Sequence, residues 1–176
     1  MKGHRVILAN ILLMTLVFSL AQSQKMSSSQ SLNRKKALAM LKGCSRSLSS
    51  EGCNEDTAGY LIGLYKRGDK GLLSALLDAG LVSDGALSES LGSFYGELLW
   101  KEPDELLKAL VSRPKKEQHK LASSAAAMDG SGMPKEMLRE VKSKLSKIAG
   151  QKHSRLSPVA RLCLSELNKV RAIESH

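Results

Sequence analysis

The stretch that most constrains the fold is 83–100, because its apolar and its small residues fall on different faces of one predicted helix. At 100° per residue, the apolar side chains form one stripe and the small residues a second stripe nearly opposite. A glycine inside a helix costs roughly 1 kcal/mol relative to alanine, so this second stripe predicts close approach of a neighbouring helix. The apolar stripe is Leu87, Leu91, Phe94 and Leu98; the small stripe is Gly85, Ser88, Gly92 and Gly96; the strip left for water is Glu89, Ser90, Ser93 and Glu97.

Seven further stretches have apolar residues at helical spacing and are separated by glycine, proline or polar breaks. Nowhere do apolar and polar residues alternate for long at the period of two that indicates a half-buried strand. Most connections are short, which favours antiparallel neighbours. The sequence therefore predicts an all-α fold of about eight helices, either a compact multi-helix bundle or a short helical-hairpin array. The seven further predicted helices are 32–42, 54–67, 70–79, 102–113, 115–128, 134–149 and 157–173.

Every aromatic residue beyond the first 21 positions lies between Tyr60 and Trp100. Large rings bury the most apolar area, so the best-defined core is expected in this part of the chain. The C-terminal third has only aliphatic stripes and is expected to pack more loosely.

Residues 1–21 have the features of a secretory signal peptide. Lys2 and Arg5 give a basic start, 6–21 is an apolar run, and small residues allow cleavage after Ala21 or, equally, after Ser23. The alternative is an uncleaved membrane anchor, although the run is shorter than the ~20 residues that span a bilayer. The predicted organisation is a signal peptide at 1–21, a flexible polar leader at 22–31 and one helical domain at 32–176. A secreted or periplasmic location follows.

The chain is basic, with a formal net charge of +10. Loss of residues 1–21 removes Lys2 and Arg5 and no acidic residue, which leaves about +8. Such a charge favours anionic partners such as nucleic acid, lipid headgroups or wall polymers. It is also within the range that keeps an ordinary small domain soluble, and that interpretation is preferred.

The three cysteines are Cys44, Cys53 and Cys163. Export favours a disulfide, and Cys44 and Cys53 are the favoured pair because a bridge between them closes a small loop. Cys163 lies on the apolar face of the last predicted helix and is interpreted as a buried free thiol. Pairing of Cys163 with either of the other two stays open at this point.

Glu166 is a weak candidate for a catalytic residue, because it falls within the apolar sector of the last predicted helix, near Leu162 and Val170. A buried carboxylate has a raised pKa and can act as a general acid, which would suit a small helical hydrolase. The alternative is a structural ion pair with a lysine or arginine. No second carboxylate can be placed beside Glu166 from the sequence.

Other site chemistry has little support in the sequence. No pair of histidines has i, i+4 spacing with a third ligand nearby, so no zinc site is predicted. No Gly-x-Ser-x-Gly turn follows a strand, and no phosphate-binding loop is present. The sequence predicts no cofactor.

Basic residues cluster in the C-terminal half, and Lys135, Arg139 and Lys142 share one helix face. A stripe of this kind can contact phosphates of a nucleic acid or an anionic membrane. No aromatic residues lie among these cations to stack on bases, and the ordinary interpretation is the solvated face of a bundle helix.

Together these features predict an exported helical protein that binds a partner and has no supported catalytic role. The alternatives are the Glu166 hydrolase and charge-driven binding to a membrane, wall polymer or nucleic acid. The partner, which could be a protein or an anionic surface, and the oligomeric state do not follow from the sequence.

Overall fold

The computed structural model describes residues 32–44 and 53–170. Of the unit Met1–Asn33, only the last two residues are described, and they have no regular secondary structure. The fold below is that of the unit beginning at Arg34. The predicted signal peptide and leader lie outside the described residues.

Every regular element among the described residues is a helix, so the prediction of an all-α fold is confirmed. Most predicted bounds agree with the observed ones to within about two residues, which is the usual uncertainty of helix ends. The last helix, predicted as 157–173, is the exception: it ends at Lys169, and Val170 has extended backbone angles. A 3₁₀ turn, Lys70–Leu72, takes the place of the first turn predicted for 70–79. The eight α-helices are α1 (Arg34–Gly43), α2 (Glu55–Lys66), α3 (Leu73–Gly80), α4 (Gly85–Lys101), α5 (Pro103–Val111), α6 (Lys115–Ala127), α7 (Lys135–Ala149) and α8 (Ser157–Lys169).

Helix α4 is the centre of the bundle. It packs against α2, α3, α5, α6 and α7. Its apolar stripe is buried, as predicted, and so are Gly92 and Gly96 on the opposite side. A methyl group added at Gly92 would lie 2.1 Å from the carbonyl oxygen of Met128, just after α6. Two of the glycines therefore do allow the close helix contact that the sequence predicted.

The prediction for the start of α4 was wrong. Gly85 has a φ of +48°, and an added methyl group there would meet nothing within 4 Å. Its role is thus a backbone conformation that favours glycine, and no neighbouring helix approaches it. Asp84 occupies the N-cap position predicted for Ser83. The hydroxyl of Ser83 instead donates to the carbonyl oxygen of Gly80, at the end of α3.

The C-terminal third, which was expected to pack more loosely, has a buried core. Helix α8 packs against both α6 and α7, and core residues such as Ala125, Val141 and Leu145 have no solvent exposure. The buried residues of these three helices include no aromatic side chain, so small and aliphatic residues build this part of the core.

The Cys44–Cys53 disulfide is present, with 5.3 Å between the two Cα atoms. It joins the residue after α1 to the start of α2. Cys163 is free and buried in α8, which resolves the alternative pairings. None of the described helices combines the length and apolar character required to cross a bilayer.

Candidate binding groove

A cavity of about 410 Å³ lies along α4, bounded by α2 and by residues on either side of the α6–α7 connection. We call it the α4 groove. Ser90 and Ser93 lie in it, half-buried, and both belong to the strip of α4 that the sequence left for water. The apolar part of its lining is Ile62, Phe94, Trp100, Met128 and Met137.

Met128 is held in the groove by the two glycines of α4. Its carbonyl oxygen lies against Gly92, and its side chain lies against Gly96. Its φ is +52° and its ψ is −117°, a conformation that residues other than glycine rarely adopt. Strained backbone persists where the surrounding structure imposes it, and it occurs preferentially at functional sites.

Trp100 is fixed at the far end of α4 by helix α7. Its indole N–H donates to Oε2 of Glu140 at 2.6 Å. The ammonium of Lys144 donates to the main-chain carbonyl oxygen of Trp100, also at 2.6 Å. These bonds position one aromatic wall of the groove before any ligand arrives.

A second cavity, of about 230 Å³, adjoins the α4 groove and shares Lys66, Phe94 and Glu97 with it. We call it the Tyr65 cavity. The rings of Tyr65 and Phe94 meet edge to face, with 5.3 Å between their centroids. Leu98 completes the apolar part of the wall, and the other lining residues are charged.

Glu97 carries the ion pairs at the border of the two cavities. Its carboxylate accepts hydrogen bonds from Lys66 on α2 and, at 2.7 Å, from Lys101 on α4. Burial opposes ionisation of this carboxyl group, but the two lysines outweigh burial and lower its pKa from the usual 4.5. Glu97 is therefore a structural carboxylate that stays ionised near neutral pH.

Lys70 and Glu102 form a second ion pair beside the Tyr65 cavity, at 2.6 Å. The same ammonium lies over the ring of Tyr65, 4.2 Å from its centroid. A cation in this position is attracted by the electron-rich face of the ring. Burial raises the pKa of the Tyr65 hydroxyl, which stays protonated and able to donate a hydrogen bond.

Glu166 is buried, and its carboxylate accepts a hydrogen bond from Lys169 at 2.7 Å. Nδ1 of the exposed His119, on α6, lies 3.5 Å from the same carboxylate oxygen. Glu166 does not line either of the two cavities described above. These contacts fit a structural ion pair, which was the alternative to a catalytic role for Glu166.

Cys163 is close to Glu166 but is a poor nucleophile. Burial and the neighbouring carboxylate raise the pKa of its thiol to about 12. Reactive cysteines have the opposite property, a lowered pKa in an electropositive and accessible site. Within the described ranges, His, Cys, Asp and Glu side chains form no group of three that could hold a metal ion.

The basic residues proposed for anionic partners lie on α7. Lys135 and Arg139 are exposed and Lys142 is half-buried. Arg139 pairs with Glu136 one turn away, so part of its charge is already balanced. The helix carries five basic and two acidic residues, so its net charge is positive.

Comparisons with protein-family models, with curated proteins and with solved structures found no match for this chain. The two cavities could not be predicted from the sequence, because their walls come from segments far apart in the chain. Met128 and Met137 gave no periodic signal, since they flank a Gly-rich turn between two helices.

Proposed function

We propose that the protein is an exported, non-catalytic binding protein whose partner occupies the α4 groove. The observation that supports this proposal is the groove's lining, which contains two methionines, two aromatic rings and two serines. Methionine is unbranched and polarizable, so it adapts to the shape of an apolar partner. The volume of about 410 Å³ also falls in the range of known ligand sites.

A catalytic role has less support. The only carboxylate among the groove's lining residues is Glu97, which is already paired with two lysines. The lining contains no cysteine and no histidine, and its serines have no base beside them in that lining. General acid–base or nucleophilic chemistry would need at least one such pair of groups within hydrogen-bonding reach.

The groove favours an amphipathic helical segment of another protein as the partner. It lies between helices α2 and α4, and grooves of this type accept the apolar face of a helix. Ile62 and Met137 can contact the apolar face, while Ser90 and Ser93 can hydrogen-bond to polar groups at its edge. Gly59 leaves the wall of α2 open, since a methyl group added there would meet nothing within 4 Å.

An oxidising compartment outside the cytoplasm is the proposed site of action. The Cys44–Cys53 disulfide supports it, because such bonds persist in secreted and periplasmic proteins and are rare in the cytosol. The secretory features of residues 1–21 agree with this location.

The test is a capture experiment with a variant that fills the groove. Ser93→Tyr adds a ring inside the groove, and Ser165→Tyr adds the same ring at an exposed position of α8 as the matched control. Proteins from the extracellular or periplasmic fraction are captured on each form and identified by mass spectrometry, and the purified partner is then titrated. We expect the partner to bind the wild type and Ser165→Tyr equally and Ser93→Tyr at least about tenfold more weakly. Equal binding of the partner to all three forms would exclude the α4 groove as its binding site.

Charge-driven binding through Lys135, Arg139 and Lys142 predicts a different result. Binding to an anionic polymer or membrane weakens steeply as salt rises. The affinity of a partner that binds in the α4 groove should change little over the same range of salt concentration. Titration of the captured partner at low and high salt therefore separates these two functions.

A further inference from the structure

We propose that one face of helix α7 binds an extended anionic polysaccharide outside the cytoplasm. The face consists of Lys135, Arg139 and Lys142, which are four and three residues apart and therefore form one row on the helix. We call it the α7 basic face. None of its members lines the α4 groove, and Met137, which does, lies on roughly the opposite side of α7 at about 100° per residue. The inference thus goes beyond the proposed function and shares only the proposed location with it.

Positive charge is concentrated in the part of the fold that includes this face. Residues 135–169 contain nine basic and three acidic residues, a net charge of +6 with histidine neutral. The rest of the described chain, 32–44 and 53–134, contains 13 basic and 12 acidic residues, a net charge of +1. Helices α7 and α8 pack on each other, so the excess charge is gathered in one region. Charge that served only solubility would not need this segregation, which attracts an anionic partner.

Most of the cations in this region are not balanced by a carboxylate. Each of its three acidic residues already has a partner, and Arg139 is the only member of the α7 basic face with an ion pair. Like charges three or four residues apart on a helix destabilise it, so this row has a cost to folding that a partner would explain. Among the described residues of this region, the cations without an ion pair include Lys135, Lys142, Lys147, Lys152 and Arg155.

The positive row continues to the C-terminal end of α7. Arg161 of α8 is exposed, and its guanidinium donates to the carbonyl oxygen of Ala149, the last residue of α7, at 3.2 Å. Lys152 and Arg155, both exposed, belong to the connection that follows. With a rise of about 1.5 Å per residue, the cations from Lys135 to this end span roughly 20 Å. A row of this length suits an extended polymer better than a single small anion.

The α7 basic face offers charge without exposed apolar side chains. Leu138, Val141 and Leu145 of the same helix are buried in the bundle. The only large hydrophobic residue that is exposed among the described residues is Val111, on α5. A helix that binds a membrane surface inserts apolar side chains between the headgroups, and a protein interface has an apolar core. The face therefore favours a polyanion over a membrane or a protein.

Among polyanions, a polysaccharide fits this face better than a nucleic acid. No phenylalanine, tyrosine or tryptophan occurs after Trp100, so the face has no such ring on which a base could stack. Ser146 continues the row one turn beyond Lys142 and is exposed, so its hydroxyl can bond to a sugar hydroxyl. The proposed location outside the cytoplasm also separates the protein from cellular nucleic acid.

The experiment is calorimetric titration of the purified protein with heparin, a sulfated polysaccharide, and with polygalacturonate, a carboxylated one. Dextran tests the requirement for charge, and mixed-sequence double-stranded DNA and phosphatidylglycerol vesicles test the other anions. We expect at least one of the two polyanionic sugars to bind with a Kd below about 10 µM at ~50 mM salt, to weaken steeply as salt rises, and dextran not to bind. Failure of both to bind would overturn the inference, as would tighter binding of DNA or of the vesicles.

The triple variant Lys135→Gln/Arg139→Gln/Lys142→Gln tests the face itself. Glutamine is a good helix former, so α7 should be retained. Binding should weaken at least about tenfold, and the slope of log K against log salt should become shallower by about 2–3, because each cation contributes close to one unit. Undiminished binding to this variant would overturn the inference.

The matched control is Lys35→Gln/Arg67→Gln/Lys115→Gln, which removes two lysines and one arginine from exposed positions on other helices. It has the same net charge as the first triple variant and should bind the polysaccharide like the wild type. Equal weakening in the two triple variants would overturn the inference, because net charge alone would then account for binding.

The two proposals can fail separately. Loss of partner capture by Ser93→Tyr, with no polysaccharide bound by the wild type, would support the groove and refute the α7 basic face. Polysaccharide binding that is lost only in the variant of the α7 basic face, with partner capture unaffected by Ser93→Tyr, would support that face and refute the groove.

Discussion

At the scale of single residues, the same residue type has different roles at different positions. Gly92 and Gly96 let the chain around Met128 approach α4, whereas Gly85 supplies a left-handed backbone at the start of that helix. The helical spacing of these glycines predicted the close contact but could not separate these two roles. The separation depends on the backbone angles and on which helix lies nearby, and neither is encoded in the spacing.

A glycine-to-alanine pair measures this difference. Gly92→Ala would place a methyl group 2.1 Å from the carbonyl oxygen of Met128, so it should lower the free energy of unfolding by about 2–3 kcal/mol. Gly59→Ala, also within a helix, meets nothing within 4 Å and should raise it by about 0.5–1 kcal/mol. Urea denaturation of both variants checks the two signs. A stabilising Gly92→Ala would contradict the close contact.

Thiol counting tests the cysteine assignments. The Cys163 thiol is buried and has a pKa of about 12, so the native protein should not react with a thiol reagent at pH 8. One thiol should react after denaturation without reduction, and three after denaturation with reduction. Two reactive thiols in the native protein would show that Cys44 and Cys53 are not joined.

At the scale of helices, the candidate site depends on contacts that no local sequence pattern predicts. Lys66 and Glu97 pair α2 with α4, and Glu140 and Lys144 of α7 fix Trp100 of α4. In the sequence, each of these four charged residues belongs to the polar side of its own helix. Their pairing follows from the way in which the helices dock, so the sequence predicted the elements of the groove without the groove itself.

The Glu97 pairs make helix docking sensitive to acid. The pKa of Glu97 is lowered in the folded chain, so the stabilisation is present above the unfolded value near 4.5 and is lost as the pH falls through the folded value. At neutral pH, Glu97→Gln should lower the free energy of unfolding by about 1 kcal/mol. The difference in the free energy of unfolding between Glu97→Gln and the wild type should shrink towards about pH 3.

Denaturation at several pH values measures this difference. Glu89→Gln, which removes an exposed carboxylate from the same helix, controls for the loss of one negative charge. A difference between wild type and Glu97→Gln that stays constant from neutral to acidic pH would show that the ion pairs do not contribute.

At the scale of the whole molecule, the fold class and the helix order were predictable because amphipathic periodicity and helix breaks are local features. The extent of the buried core in the C-terminal helices was less evident, because alanines and a buried cysteine give no strong hydrophobic signal. Glu166, which the sequence places among apolar residues, is buried. Its partners Lys169 and His119 could not be chosen from the sequence, because one of them lies on another helix.

Export predicts that the mature protein is lighter than the full chain by the mass of its signal peptide. Protein purified from outside the cytoplasm should lack residues 1–21, or 1–23 if cleavage follows Ser23. Its mass should also rise by about 2 Da on reduction, because one disulfide is opened. Intact-mass spectrometry before and after reduction measures both. A chain that retains its first 21 residues would support the membrane-anchor alternative.

The position of Met128 exposes the site to chemical damage. Met128 is half-buried and lines the α4 groove, so an oxidant can reach the residue from that side. Peroxide converts methionine to a sulfoxide, which is polar and bulkier than the thioether. A sulfoxide at Met128 would place a polar oxygen in the apolar lining beside Gly96, so the residue that shapes the recognition surface also makes it vulnerable to oxidants.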